Sequence, residues 1–138
     1  MTEQELKVRT KKFAVCIFKQ IDKLPNTKSA NIIGNQLGRA SSAVAANYRS
    51  ACKPKSRADF ISKIGIVEEE ADESEYWLSM LKETGNGSAE EINSLIKEAD
   101  ELTAIFTASG KTAKRNRDNG ASRKSKSQAS SEQKLPDH

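Results

Sequence analysis

The stretch from Thr27 to Cys52, TKSANIIGNQLGRASSAVAANYRSAC, decides the fold. Its Ala30, Ile33, Leu37, Ala40, Val44, Asn47 and Ala51 recur at spacings of three and four residues, which places them on one face of a helix as a heptad seam. A seam of this kind is buried against other helices, so the segment predicts a bundle. Asn47 interrupts the apolar run. A buried amide without partners costs about 1–3 kcal/mol, so Asn47 is expected to set helix register by bonding to Ser74 or to an acidic residue on the next helix. Gly34, Gly38, Ser41, Ala45 and Cys52 form a second strip of small residues. Close packing of another helix is the simpler use of that strip than a ligand groove, because each glycine costs the helix up to about 1 kcal/mol.

Working outward, three further segments carry the helical period, and none shows the alternation of a half-buried strand. Upstream, Thr2 and Glu5 have capping-box spacing, and Leu6, Phe13, Ile17, Ile21 and Leu24 share a face before Pro25 and Asn26 end the helix. Downstream of Pro54, a helix opening near Ser56 carries Phe60, Ile64, Val67, Ala71, Ser74, Leu78 and Leu81 until Gly85 stops it. Ser88 and Glu91 open the fourth, with Ile92, Leu95, Ala99, Leu102 and Phe106 leading to Gly110. The expectation is an all-α, up-down-up-down four-helix bundle over residues 1–110. Residues 111–138 lose the apolar pattern and are expected to be a disordered basic tail, unless the fourth helix continues past Gly110 by a turn.

The formal net charge of +4 hides a strong asymmetry. Residues 1–63 hold 13 Lys and Arg against 4 Asp and Glu, residues 64–110 hold 2 against 12, and residues 111–138 hold 8 against 3. The chain is therefore basic, then acidic, then basic again, which bears on partners and association rather than on fold. Cys16 and Cys52 fall on different helices roughly 25 Å apart by helix rise, too far for a disulfide. Free thiols, no secretory apolar run and no apolar stretch near about 20 residues lead to the expectation of a cytoplasmic protein outside the membrane.

Catalysis finds no constellation here. The single histidine is His138, the last residue, so a Ser-His-Asp or Cys-His arrangement has no positioned base. The acidic run Glu68, Glu69, Glu70, Asp72, Glu73 and Glu75 lacks the Glu-x-x-His spacing of carboxylate metal sites in bundles, and Glu69 and Glu73 lie opposite the apolar seam. No glycine loop of the phosphate-cradling kind is present. No catalytic residue, metal or cofactor is expected.

Charge and spare apolar surface are the features left to carry function. Lys12, Lys19 and Lys23 on the first helix, Arg39, Arg49 and Lys53 on the second, and Lys55, Arg57 and Lys63 beyond it project away from the core faces. They make a candidate stripe for nucleic-acid phosphates, whose neutralisation releases counterions whatever the base sequence. Tyr48 is the one aromatic expected near the surface of this zone, which favours backbone or shaped-RNA binding over stacking of single strands. Val8 and Val15 stand opposite the core face of the first helix, and Ile66, Trp77 and Met80 form a second band on the third, with Glu69, Glu73 and Tyr76 beside it. Exposed bands of this kind mark association surfaces, and opposed charge along the chain suits head-to-tail packing of copies.

The run Ser41-Ser42-Ala43-Val44-Ala45-Ala46-Asn47-Tyr48-Arg49-Ser50-Ala51-Cys52, with Lys55 to Ile64 and Glu69-Glu70-Ala71-Asp72-Glu73-Ser74-Glu75-Tyr76-Trp77-Leu78, resembles one bacterial family. It looks like the four-helix bundle proteins encoded in intervening sequences of the 23S ribosomal RNA gene. The likeness spans about residues 5–108, and the Asn-Tyr-Arg and Glu-Tyr-Trp-Leu motifs carry it. The basic tail departs from the short carboxyl end of that family. The resemblance implies a homopentamer without established catalysis, and kinship with basic pentameric accessory proteins of diversity-generating retroelements, which bind nucleic acid and a reverse transcriptase. Two functional expectations follow: an oligomeric RNA or DNA binder, or an interaction scaffold docking a partner such as a reverse transcriptase, its charges serving assembly.

Overall fold

The computed structural model describes residues 1–129, with side chains described for residues 1–120. Four helices follow one another: α1 (Glu3–Asp22), α2 (Lys28–Ala51), α3 (Arg57–Glu83) and α4 (Ala89–Ala129). Each packs antiparallel on the next, and α1 also meets α4, so the chain closes as an up-down-up-down bundle. The helices begin where the caps predict. Thr2 and Glu5 form a reciprocal capping box at 3.1 and 3.0 Å. Thr27 Oγ1 accepts from the Ala30 amide at 3.2 Å, and Ser56 Oγ accepts from the Asp59 amide at 3.0 Å. α3 ends in a left-handed turn at Gly85, φ 72°. There the Gly85 and Asn86 amides donate back to the carbonyls of Lys82 and Leu81, satisfying groups the helix end leaves open.

The core is one layer of apolar side chains contributed by all four helices. Leu6, Phe13 and Ile17 of α1 meet Ile33, Leu37 and Val44 of α2, Ile64, Val67, Leu78 and Leu81 of α3, and Ile92, Leu102 and Phe106 of α4. Each such side chain, fully buried, contributes about 1.5–3 kcal/mol. The small residues of α2 serve packing. A methyl at Gly38 would lie 3.3 Å from Ile21 Cδ1, and one at Gly34 3.4 Å from Leu24 Cδ1, so α1 rests directly on the α2 backbone.

Two expectations are corrected. Asn47 is not the seam residue: it is half-buried, and its amide donates to the Ala43 carbonyl of its own helix at 2.9 Å. Tyr48 occupies the seam instead. It is buried against Phe106, with ring centroids 5.2 Å apart and planes at 48°, and is therefore no surface aromatic. Burial, and then the neighbouring Cys52 thiol, push its phenol well above the ordinary range. Ser74 is fully buried, but its hydroxyl donates to the Glu70 carbonyl one turn back rather than to Asn47.

Gly110 is also not a stop, because α4 runs on to Ala129. Gly110 has no left-handed backbone, and a methyl there would meet only Ile64 at an ordinary 3.7 Å. The first part of the basic tail therefore continues the helix. The rest of that expectation, residues 130–138 and the side chains of residues 121–129, lies outside the described residues.

Candidate nucleic-acid interface

Antiparallel alternation gathers the α2–α3 turn and the C-terminal part of α4 at one end of the bundle. The turn is built tightly. Asp59 accepts from the Lys55 amide at 2.9 Å and pairs with Lys63 at 3.1 Å, contacts that hold its carboxyl below the usual range. Across from it, Arg57 Nη1 donates to the Asn116 carbonyl at 2.8 Å, which sets Asn116 level with the first residue of α3. From Asn116 to Ala129 the helix projects about 20 Å further. Between turn and helix lies a groove of about 430 Å³ lined by Pro54, Lys55, Ser56, Arg57, Phe60, Ala113 and Asn116. Its floor is mainly apolar, and Phe60 is half-buried in it.

Lys55 and Arg57 line this groove, and four further exposed cations belong to the same end of the bundle: Lys53 ahead of the turn, and Lys111, Lys114 and Arg115 on the outer faces of α4. None of the six is in an ion pair among the described residues. Arg117 faces its neighbour Asp118 at 3.4 Å. The three α4 cations escaped the sequence reading because Gly110 stood as the helix end; continuous low Gly and Pro content from Lys111 to Asn119 was the signal for a longer helix.

The nine sequence-predicted basic residues do not form one stripe. Lys53, Lys55 and Arg57 come together. Lys63 is engaged by Asp59, and Arg39 reaches across to α3, where it meets Glu70 at 3.1 Å and also pairs with Glu73. Lys19 and Lys23 lie toward the opposite end, where Lys23 sits 3.6 Å from Glu91. Gln20 donates to Glu91 at 2.5 Å, and this bond, with Lys23, lowers the Glu91 pKa. Arg49 is exposed on α2, and Lys12 borders a cleft of about 700 Å³ between α1 and α4.

Of the expected interface residues, Val8 is 58% exposed, Tyr76 56%, Val15 44% and Ile66 39%, while Met80 is half-buried and Glu69 exposed. Glu73 is occupied by Arg39 within the chain. Trp77 packs edge-on to Tyr76 at 5.0 Å, and its indole N–H is buried without an acceptor. Three exposed apolar residues were missed: Met1, Phe18 and Ile32. Among the described residues, no group of three or more His, Cys, Asp or Glu is placed to hold a metal, both cysteines are free, and no helix is long and apolar enough to cross a membrane.

These features define an antiparallel four-helix bundle with a charge-polarised surface and an extended last helix. The chain belongs to the family of 23S rRNA-intervening sequence proteins, whose model matches residues 3–108. It is similar to the crystal structure of a protein of unknown function from the S23 ribosomal protein family of Bacteroides thetaiotaomicron VPI-5482. That likeness has a TM-score of 0.73 and 32% identity, and covers 80% of this chain and 99% of the other. No curated protein matches the chain. The family match ends at residue 108, before Lys111, Lys114 and Arg115, so these cations lie outside the matched segment.

Proposed function

We propose that this protein is a nonenzymatic, cytoplasmic, homo-oligomeric protein that binds the phosphate backbone of RNA or DNA through the basic end of its bundle. The observation that carries the reading is the set of six cations on the α2–α3 turn and α4 that have no ion-pair partner among the described residues. Cations not neutralised within the chain are available to displace condensed counterions from a polyanion. A shift assay tests this between about 50 and 200 mM salt, over which engagement of about six phosphates predicts a loss of affinity on the order of a thousandfold. Absent binding, or affinity flat with salt, overturns it.

The assembly part of the reading rests on complementary faces. The outward side of α1 carries Val8 and Val15 among Lys11, Lys12 and Lys19, and the outward side of α3 carries Ile66 and Tyr76 beside Glu69. Basic and acidic faces that each bear apolar residues suit a heterologous, ring-closing contact, and a pentamer is the assembly the family resemblance implies. Light scattering that finds a monomer at high micromolar concentration refutes this part.

A second reading, a scaffold that docks a protein partner such as a reverse transcriptase, is favoured by the exposed apolar Ile66 and Tyr76 on α3. If the charges serve assembly only, reversal at Arg49 and Lys53 breaks the oligomer. Under the first reading, the oligomer survives and nucleic-acid affinity falls.

A further inference from the structure

The groove beside the α2–α3 turn differs from the rest of the basic end in having a floor that phosphates do not need. Pro54, Phe60 and Ala113 make it apolar, and no acidic side chain lines it. The nearest acid in sequence, Asp59, is committed to the Lys55 amide and Lys63. The walls are held at fixed separation by the bond from Arg57 to the Asn116 carbonyl, so the groove is framed by two elements rather than by a loose loop. Duplex backbone would use the cationic rim and leave the apolar floor empty, because its bases are stacked inside. An unpaired nucleotide presents both surfaces at once, a flat base and a flanking phosphate on either side.

We propose that this groove receives an unpaired nucleotide of a single-stranded RNA or DNA, its base against Phe60 and Pro54 and its flanking phosphates on Lys55 and Arg57. The proposal rests on the nucleic-acid reading above and narrows it to strands with free bases. The α4 extension supplies one wall, so the site exists only because the helix passes Gly110. Stacking on an aromatic ring does not distinguish one base from another, so the predicted recognition is tolerant of sequence.

The test uses the full-length protein and fluorescence anisotropy with three probes of closely matched phosphate number: a single-stranded 24-mer, the same strand with abasic sites at its centre, and a blunt duplex of twelve base pairs. The single strand is expected to bind roughly tenfold or more tighter than the abasic strand, as loss of base stacking requires. Phe60→Leu, which keeps an apolar group but removes the ring, is expected to lower single-strand affinity by a similar factor and leave duplex affinity unchanged. Circular dichroism and a urea midpoint close to wild type confirm that this variant is folded. A 2-aminopurine placed centrally in the strand is expected to change its fluorescence on binding to the wild type and much less on binding to Phe60→Leu. Equal affinity for all three probes overturns the groove proposal and leaves the backbone reading intact. Competition by poly-glutamate as effective as that by the oligonucleotide also overturns it, since charge alone would then explain binding. Failure to bind any probe overturns both readings.

Discussion

Arg9 of α1 donates through Nε and Nη2 to both carboxylate oxygens of Glu98 on α4, at 2.8 and 2.6 Å, and its Nη2 also reaches Glu101 at 2.9 Å. This fork closes the bundle where it is weakest, across the cleft between its first and last helices. The bond to Glu98 raises the already high Arg9 pKa, so the guanidinium stays charged at any pH the fold survives. Arg9→Ala is expected to lower stability by about 1–2 kcal/mol, more than an exposed pair, because the geometry is bidentate and partly buried. Urea unfolding at low and high salt measures the loss, which should shrink only modestly with salt.

Phe106 is completely buried against Tyr48 at the basic end of the core. Phe106→Ala removes a fully buried ring from the shared core, and about 3–5 kcal/mol of stability should go with it. The midpoint of urea unfolding reports it. Because the cavity opens beside α3 and α4, cooperative unfolding should persist at a lower denaturant concentration.

Asn47→Ala is expected to change stability by no more than about 0.5 kcal/mol, since the lost amide bond lies within one helix turn and the site is only half-buried. A loss of several kcal/mol in the same urea experiment would place Asn47 in the core seam and contradict the Tyr48 assignment.

Glu75 on α3 is the carboxyl whose ionisation the fold opposes. Burial, then the hydrogen bond and charge of Asp100 on α4 and the charge of Asp72, raise its pKa above the usual value of 4.5. In the pH window just above 4.5 the folded state holds this proton more tightly than the unfolded chain, so stability from this group falls as pH rises through the raised value. Glu75→Gln keeps a donor toward Asp100 without the charge. It should stabilise the protein at pH 7 and flatten the decline that begins just above pH 4.5, as read from urea midpoints across pH. Asp59 and Glu91, whose pKa values are lowered, act oppositely, losing stability as pH drops below the ordinary carboxylate range.

Gly110→Ala should raise stability by about 0.5–1 kcal/mol and increase helical ellipticity, because the position is mid-helix and the new methyl meets Ile64 at an ordinary distance. A destabilised, less helical variant would mean that α4 ends there.

The helices were legible because the three-and-four spacing from Ala30 to Ala51 and its counterparts survive in one dimension, and because Thr2, Thr27 and Ser56 each carry an N-cap hydroxyl before an apolar run. The period alone does not choose between positions 47 and 48, since both follow Val44 at an allowed step. Phe106 on another helix makes that choice by giving the Tyr48 ring a partner. Likewise a glycine marks a helix end only when its backbone turns left-handed. Gly85 does so and stands in open space, whereas Gly110 does not and lies mid-helix against Ile64, a distinction the residue type alone does not carry.

The order of charge along the chain already determined that this protein is polarised, with basic first helices, acidic later ones and a basic end segment. Which of those charges remain available was decided only by the tertiary structure. Antiparallel register brings Arg39 to Glu70 and Glu73 and thereby neutralises it, while the same register brings Arg57 to Asn116 and sets Lys55 and Arg57 across a groove from Ala113. Pairing depends on which side chains are opposite one another across helices some thirty to sixty residues apart in sequence. Local pattern carries the period of a helix but not its register against a neighbour, and the basic groove is a product of register.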